Sequence, residues 1–153
     1  MIRRLRSFVA LVALLVLAAA AGCTEDNSLS GSLGDFYRLR FDLVRARLYS
    51  SELSIEYVST STGAVPVRVT LRRDEVELGA GKSYDLDEHG DISGRLPDGM
   101  EILPMVEGEI SLDEFEPVLD ARVKGSFEAK LKAERDTLSL SGTFDTELEP
   151  VID

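Results

Sequence analysis

The 153-residue chain has no tryptophan, one cysteine (Cys23) and one histidine (His89). A single cysteine excludes an internal disulfide framework and any zinc site built from several cysteines. A single histidine excludes the multi-histidine zinc sites of hydrolases. The sequence also lacks a Gly-x-Ser-x-Gly elbow, a phosphate-binding glycine loop and a dinucleotide-binding fingerprint. These absences predict a protein that is not an enzyme and that needs no cofactor.

Basic residues are few as well. The chain has 17 lysines and arginines against 28 acidic residues, a formal net charge of −11. The sequence contains no continuous basic stripe, and docking on a polyanion requires local positive charge, so we expect no nucleic-acid partner. The length predicts one folded domain.

The first residues differ from the rest of the chain. Arg3, Arg4 and Arg6 precede a run of 14 apolar residues, 8–21, without an acidic residue. A basic start followed by a short apolar segment predicts an export signal. A bilayer-spanning helix needs about 20 apolar residues, so we interpret residues 1–22 as a signal helix that is cleaved.

The segment Ala19-Ala20-Ala21-Gly22-Cys23 follows this run and resembles the lipobox of bacterial lipoproteins. The resemblance implies that Cys23 becomes the first mature residue, is acylated with fatty acids such as palmitate, and attaches the protein to the lipid bilayer of the cell envelope. The family usually has Leu, Val or Ile where this chain has Ala20. Thr24, in place of the aspartate that retains lipoproteins in the inner membrane, implies the outer membrane in a host with two membranes. The alternative is an ordinary signal peptide cut near Gly22, which leaves a free thiol.

The segment after Cys23 is polar and rich in serine and glycine. This composition is typical of flexible linkers, so we predict a tether over residues 23–34 and a β domain over residues 35–153. Removal of residues 1–22 takes away three arginines and no acid, which leaves 14 basic residues against 28 acidic ones. The mature chain is therefore strongly acidic.

From Asp35 onward, apolar and polar residues alternate with a period of two, and no helical period persists. The pattern predicts an all-β fold, an antiparallel β-sandwich or a β-barrel. The alternation over Tyr37–Leu43 changes phase at Val44 and continues to Leu48, which predicts a first strand with a bulge near residues 43–44. A short helix over Phe41–Leu48 is the alternative. Pro66 favours an edge position for its strand. Further strands are predicted over Leu53–Tyr57, Val65–Leu71, Val76–Leu78, Ser83–Leu86, Asp91–Leu96, Met100–Val106, Glu109–Leu112, Leu119–Leu131 and Leu138–Val151.

The last two predicted strands define a hairpin with a specific register. If Leu131 pairs with Leu138, the phenyl ring of each arm covers a glycine of the other arm, an arrangement that stabilises sheets. The pairs are then Phe127 with Gly142 and Phe144 with Gly125. This Gly-x-Phe ending loosely resembles that of many uncharacterised bacterial surface lipoproteins, and the resemblance implies a fold but no activity.

Three aspartates, Asp85, Asp87 and Asp91, have the spacing with which a calcium loop begins. His89 stands where such a loop has an oxygen ligand, and Leu96 stands where it has a bidentate glutamate. We therefore interpret the segment as an acidic turn between two strands, with a calcium site as the alternative.

Three classes of function remain open. The favoured class is a non-enzymatic envelope lipoprotein whose β domain binds another envelope protein or has a structural role. The alternative is a carrier of small apolar ligands in the periplasm or at the cell surface, and the third class is an enzyme that uses His89. An enclosed apolar cavity of several hundred Å³ would favour the carrier.

Overall fold

A computed structural model describes residues 27–150 of the chain. A short 3₁₀ helix spans Ser32–Asp35, and a one-turn helix, α1, spans Leu86–His89. The strands are β1 (Ser28–Ser30), β2 (Leu43–Leu48), β3 (Glu52–Ser59), β4 (Ala64–Arg72), β5 (Lys82–Asp85), β6 (Gly90–Arg95), β7 (Met105–Glu114), β8 (Arg122–Lys132) and β9 (Thr137–Glu149). The predicted all-β class is confirmed.

The strands form one sheet that curls into a nearly closed barrel. Their order is β5-β7-β8-β9-β2-β3-β4-β6, and β1 pairs with β9 outside this path. All neighbours are antiparallel except β2 and β9, which run parallel at Ala46↔Leu148 and Arg47↔Glu149. The two end strands, β5 and β6, follow each other in sequence and are linked by α1. The barrel therefore closes through a helical turn at this point.

The inward side chains of the strands form one continuous hydrophobic core. Tyr57, Phe127 and Phe144 are the largest side chains that are fully buried there. Phe41 packs edge-on against Tyr57 with ring centroids 5.0 Å apart, and Tyr57 lies 6.0 Å from Phe127. These aromatic rings fill the barrel interior.

The terminal hairpin has the predicted register. Both phenylalanines are 1 % exposed and point into the barrel. A Cβ atom at Gly142 would lie 2.5 Å from the ring of Phe127, so only glycine leaves room for the ring there. The predicted pairs that the structure contains are Leu131↔Leu138, Phe127↔Gly142 and Gly125↔Phe144.

Residues 27–34, which belong to the segment whose composition predicts a tether, pack onto the barrel. Strand β1 pairs with β9, and Leu33 is buried in the core. The Asp145 amide donates to Asn27 Oδ1 over 2.6 Å, and Asn27 Nδ2 donates to the Asp145 carbonyl over 3.3 Å. A serine-rich composition suits an exposed strand as well as a linker, because serine hydroxyls pair across strands, as Ser28 does with Thr143 at 2.8 Å. Residues 1–26 lie outside the described part of the chain.

The predicted first strand is correct in its second half, which is β2, and wrong from Tyr37 to Asp42, where the chain is not a strand. Strand β2 begins only at Leu43, so the alternative helix is wrong too. The segment before β2 packs across one end of the barrel, where Tyr37 is buried and Phe41 contacts Tyr57. Its period of two arises because alternate side chains cover the core without a hydrogen-bonded partner strand.

Pro66 does not mark an edge strand, because β4 lies between β3 and β6. The pairing with β6 shifts between Val65 and Arg68, and this irregularity accommodates a residue without an amide hydrogen. Val76–Leu78 is not a strand either, although Val76 and Leu78 pack against the core.

Tyr37 gives a first testable prediction. Its buried hydroxyl donates a 2.8 Å hydrogen bond to the Pro66 carbonyl. Burial, assisted by the charge of Asp98, raises the pKa of Tyr37 from 10.0 to about 12. Because the pKa is higher in the folded state, this contribution to stability is complete below pH 10 and is lost as the pH rises towards 12.

We expect Tyr37→Phe to lower the free energy of unfolding at pH 7 by about 1–3 kcal/mol, because the Pro66 carbonyl loses its donor. The variant should also lose less stability than the wild type between pH 10 and 12. Urea unfolding at several pH values measures both effects. Identical pH dependence in the two proteins would contradict the assignment.

Candidate functional site

Strand β3 is buried on both of its faces. Leu53, Ile55 and Tyr57 point into the barrel, whereas Ser54 and Glu56 point outward but are only 1 % exposed. Arginines of the two neighbouring strands surround these outward residues. This arginine cluster consists of Arg45, Arg47, Arg68 and Arg72.

The strand register places the four arginines around Ser54. Ser54 lies opposite Arg47 of β2 on one side and opposite Thr70 of β4 on the other. Glu56 lies opposite both Arg45 and Arg68, and Arg72 follows two residues after Thr70. Opposite residues in a sheet are about 5 Å apart and diagonal ones about 7–8 Å. All four arginines are therefore within reach of the centre of this face.

Glu56 holds two members of the cluster in place. Arg45 Nε lies 2.5 Å from Glu56 Oε2, and an Arg68 terminal nitrogen lies 2.8 Å from Glu56 Oε1. Each oxygen of the carboxylate thus has its own guanidinium partner. Paired charges of this kind offset the desolvation of a buried carboxylate when the hydrogen bonds are good.

The other two arginines have other partners. A terminal nitrogen of Arg72 donates a hydrogen bond to the Glu88 carbonyl, and Tyr49 is a side-chain hydrogen-bond partner of Arg47. Arg47 Nε lies 3.6 Å from Glu149, and Arg72 Nε lies 3.2 Å from Glu75. Neither Nε atom makes a hydrogen bond, although both atoms are buried. The same is true, within the described residues, of Arg68 Nε and of the Ser54 hydroxyl. This face therefore contains a group of buried donors that lack an acceptor.

The three aspartates of the predicted calcium alternative do not converge. Asp85 ends β5, Asp87 lies on α1 and Asp91 lies on β6, where its carboxylate accepts a 2.8 Å hydrogen bond from the Ile92 amide. Within residues 27–150, no group of three His, Cys, Asp or Glu residues is arranged to hold a metal ion. The segment forms a helical turn between two strands, so the calcium site stays an untested alternative with no convergent set of ligands in the described part of the chain. His89 lies on the same turn, 3.7 Å from Glu75 and 3.6 Å from Glu88.

Acidic residues are concentrated on another part of the barrel. Asp85, Glu109 and Glu128 are directly opposite one another on β5, β7 and β8. Like charges in this arrangement are destabilising. This row of carboxylates lies on strands other than β2, β3 and β4, which contain the arginine cluster.

An open groove of about 780 Å³ lies beside β6, the strand at one end of the sheet order. Its apolar part includes Ile92, Leu96 and Leu103, and its charged part includes Arg68 and Glu101. The groove is open to solvent and lies outside the aromatic core.

Comparison with protein-family models, with curated proteins and with solved structures found no match to this chain. Cys23, the predicted lipidation site, lies outside the described residues. In the part of the chain from Asn27 to Pro150, no helix has the length and apolar character needed to cross a bilayer.

The arginine cluster is the site that sequence reasoning missed. The absence of a continuous basic stripe concealed it, because its members come from two strands. The available signal was the spacing within each strand: Arg45 and Arg47 share one face of β2, and Arg68 and Arg72 share one face of β4.

Proposed function

We propose that the protein is a membrane-anchored lipoprotein of the cell envelope whose β-barrel acts by binding or as a structural element, without turnover. The observation that carries the proposal is the short distance in sequence between the lipobox-like Cys23 and Asn27, which hydrogen-bonds to Asp145 of strand β9. Four residues of extended chain span at most about 14 Å. Acyl chains on Cys23 would therefore hold the barrel beside the bilayer.

The filled interior supports a binding surface over the carrier alternative. Tyr57, Phe127 and Phe144 occupy the space in which a small barrel would enclose an apolar ligand. Such a ligand would instead have to bind in the open groove beside β6, where Arg68 and Glu101 contribute charge. An apolar ligand gains little binding free energy in a groove lined by charged groups, because these groups lose contact with water without gaining a hydrogen-bond partner.

The environments of the titratable groups support binding over catalysis. The buried carboxylate of Glu56 has a guanidinium on each oxygen, so neither oxygen is free to act on a substrate. In the described part of the chain, the ion-pair partners of His89 are Glu75 and Glu88, and both lie at distances longer than a hydrogen bond.

Lipidation of Cys23 is tested by mass spectrometry of the protein purified from its native host. We expect a chain that begins at Cys23, carries added acyl mass and fractionates with membranes. Cys23→Ser should lose the acyl mass, because the modified atom is the cysteine sulfur, whereas the neighbouring Thr24→Ser should keep it. A wild-type chain cut at another residue or free of acyl mass would disprove the anchor.

A further inference from the structure

We propose that the arginine cluster around Ser54 is a binding site for a phosphate or sulfate group. The proposal rests on the outer face of β2, β3 and β4 and goes beyond the proposed anchor, because it does not depend on modification of Cys23. It assigns to the barrel a ligand class that the sequence alone did not indicate.

The first argument is the surplus of donors. The Nε atoms of Arg47, Arg68 and Arg72 and the hydroxyl of Ser54 are buried and have no hydrogen-bond partner among residues 27–150. Buried polar atoms in native proteins are nearly always satisfied, and an unsatisfied one destabilises the fold. A phosphate or sulfate has several strong acceptor oxygens, and guanidinium groups match their geometry. One such group would supply acceptors to several of these donors at once.

The second argument is accessibility combined with preorganisation. The exposed fractions of the four arginine side chains lie between 24 and 43 %, so a ligand can reach them. The buried carboxylate of Glu56 holds the guanidinium groups of Arg45 and Arg68 in place through two ion pairs.

The competing acceptors are the carboxylates of Glu75 and Glu149 and the Glu88 carbonyl, which accepts a hydrogen bond from Arg72. Glu52 lies opposite Arg72 in the sheet register. The side chains of Glu75 and Glu149 are 45 and 40 % exposed and can turn into solvent when an anion binds.

The third argument limits the size of the ligand. The chain carries a net charge of −11, and Asp85, Glu109 and Glu128 form a row of carboxylates on other strands. A polyanion that extends around the barrel would meet this negative potential. The cluster therefore suits a single anionic group better than a nucleic acid.

The test is thermal unfolding of the full-length protein, purified as expressed, in increasing inorganic sulfate or phosphate at constant ionic strength set with chloride. We expect a saturable rise in Tm at millimolar anion. Arg47→Gln/Arg72→Gln should weaken the apparent affinity at least tenfold, because two of the four guanidinium groups of the cluster are removed. Arg122→Gln, which removes a charge from β8, should leave the affinity unchanged. General stabilisation by sulfate does not saturate and is common to all variants.

Ser54→Ala separates binding from a purely structural role. Without anion, we expect its Tm to equal or exceed that of the wild type, because a buried hydroxyl without a partner is removed. With anion, we expect a smaller rise than in the wild type, because the hydroxyl no longer donates to the ligand. The proposal would be overturned if the Tm of the wild type shows no saturable rise with anion. It would also be overturned if Ser54→Ala and the double arginine variant both show the same rise as the wild type.

The source of the anionic group is resolved by two soluble probes. Tighter binding of glycerophosphoglycerol than of inorganic phosphate would identify a lipid headgroup, and the reverse order would identify a free ion or a phosphate monoester. Binding of neither probe, and none of sulfate, would refute the site while leaving the lipid anchor at Cys23 intact.

Discussion

Phe127→Ala should lower the free energy of unfolding by about 3–5 kcal/mol, which is enough to unfold a domain of ordinary stability. The ring is fully buried, packs against Tyr57 and covers the backbone of Gly142. Truncation would leave a cavity that Gly142 has no side chain to fill. The surrounding strands are hydrogen-bonded on both sides of β8 and cannot close the gap.

Urea unfolding of the purified protein measures this effect. Val106→Ala on β7 is the control, because Val106 is 48 % exposed and its truncation should cost less than about 1 kcal/mol. Phe144→Ala, which empties the equivalent space over Gly125, should resemble Phe127→Ala. A loss below about 1 kcal/mol for both phenylalanine variants is incompatible with the packing described here.

The hairpin of β8 and β9 could be predicted because its pattern contains more than alternation. On the same face of each arm a phenylalanine follows two residues after a glycine, and only one register places each ring over a glycine of the other arm. The Tyr37–Leu43 segment has only an alternation of apolar and polar residues, without any pattern that specifies a partner strand. A period of two shows that alternate residues face the core, but it does not show whether a partner strand is present. The same ambiguity applies to β1, whose serines suit a linker and an exposed strand equally.

The site could be predicted only in part, because it depends on pairing between strands. Both hairpins that build the arginine cluster, β2 with β3 and β3 with β4, are local in sequence. Pairing them would have placed Arg47 beside Ser54. The aspartates mislead for the opposite reason. Their spacing along the chain suggests convergence, but only Asp85 and Asp87 line a common groove, and Asp91 on β6 does not belong to it.

Arg45→Met/Arg68→Met should destabilise the barrel by about 3–5 kcal/mol, the typical cost of leaving a buried charge without its partner. Glu56 would remain 1 % exposed with no guanidinium on either oxygen. We expect Glu56→Met, added to this pair, to recover most of the loss, because apolar residues of similar volume replace buried ion pairs at little cost.

The matched control for this experiment is Arg95→Met/Arg122→Met. It removes the same number of charges from arginines that are 69 and 53 % exposed, and surface ion pairs of this kind contribute about 0–1 kcal/mol each. All variants are compared by urea unfolding in chloride buffer, so that no phosphate or sulfate stabilises the cluster. If the triple variant is as unstable as the first double variant, the loss comes from the packing of the arginine side chains and not from the unpaired carboxylate. Recovery in the triple variant would establish that the main structural role of Arg45 and Arg68 is to neutralise Glu56.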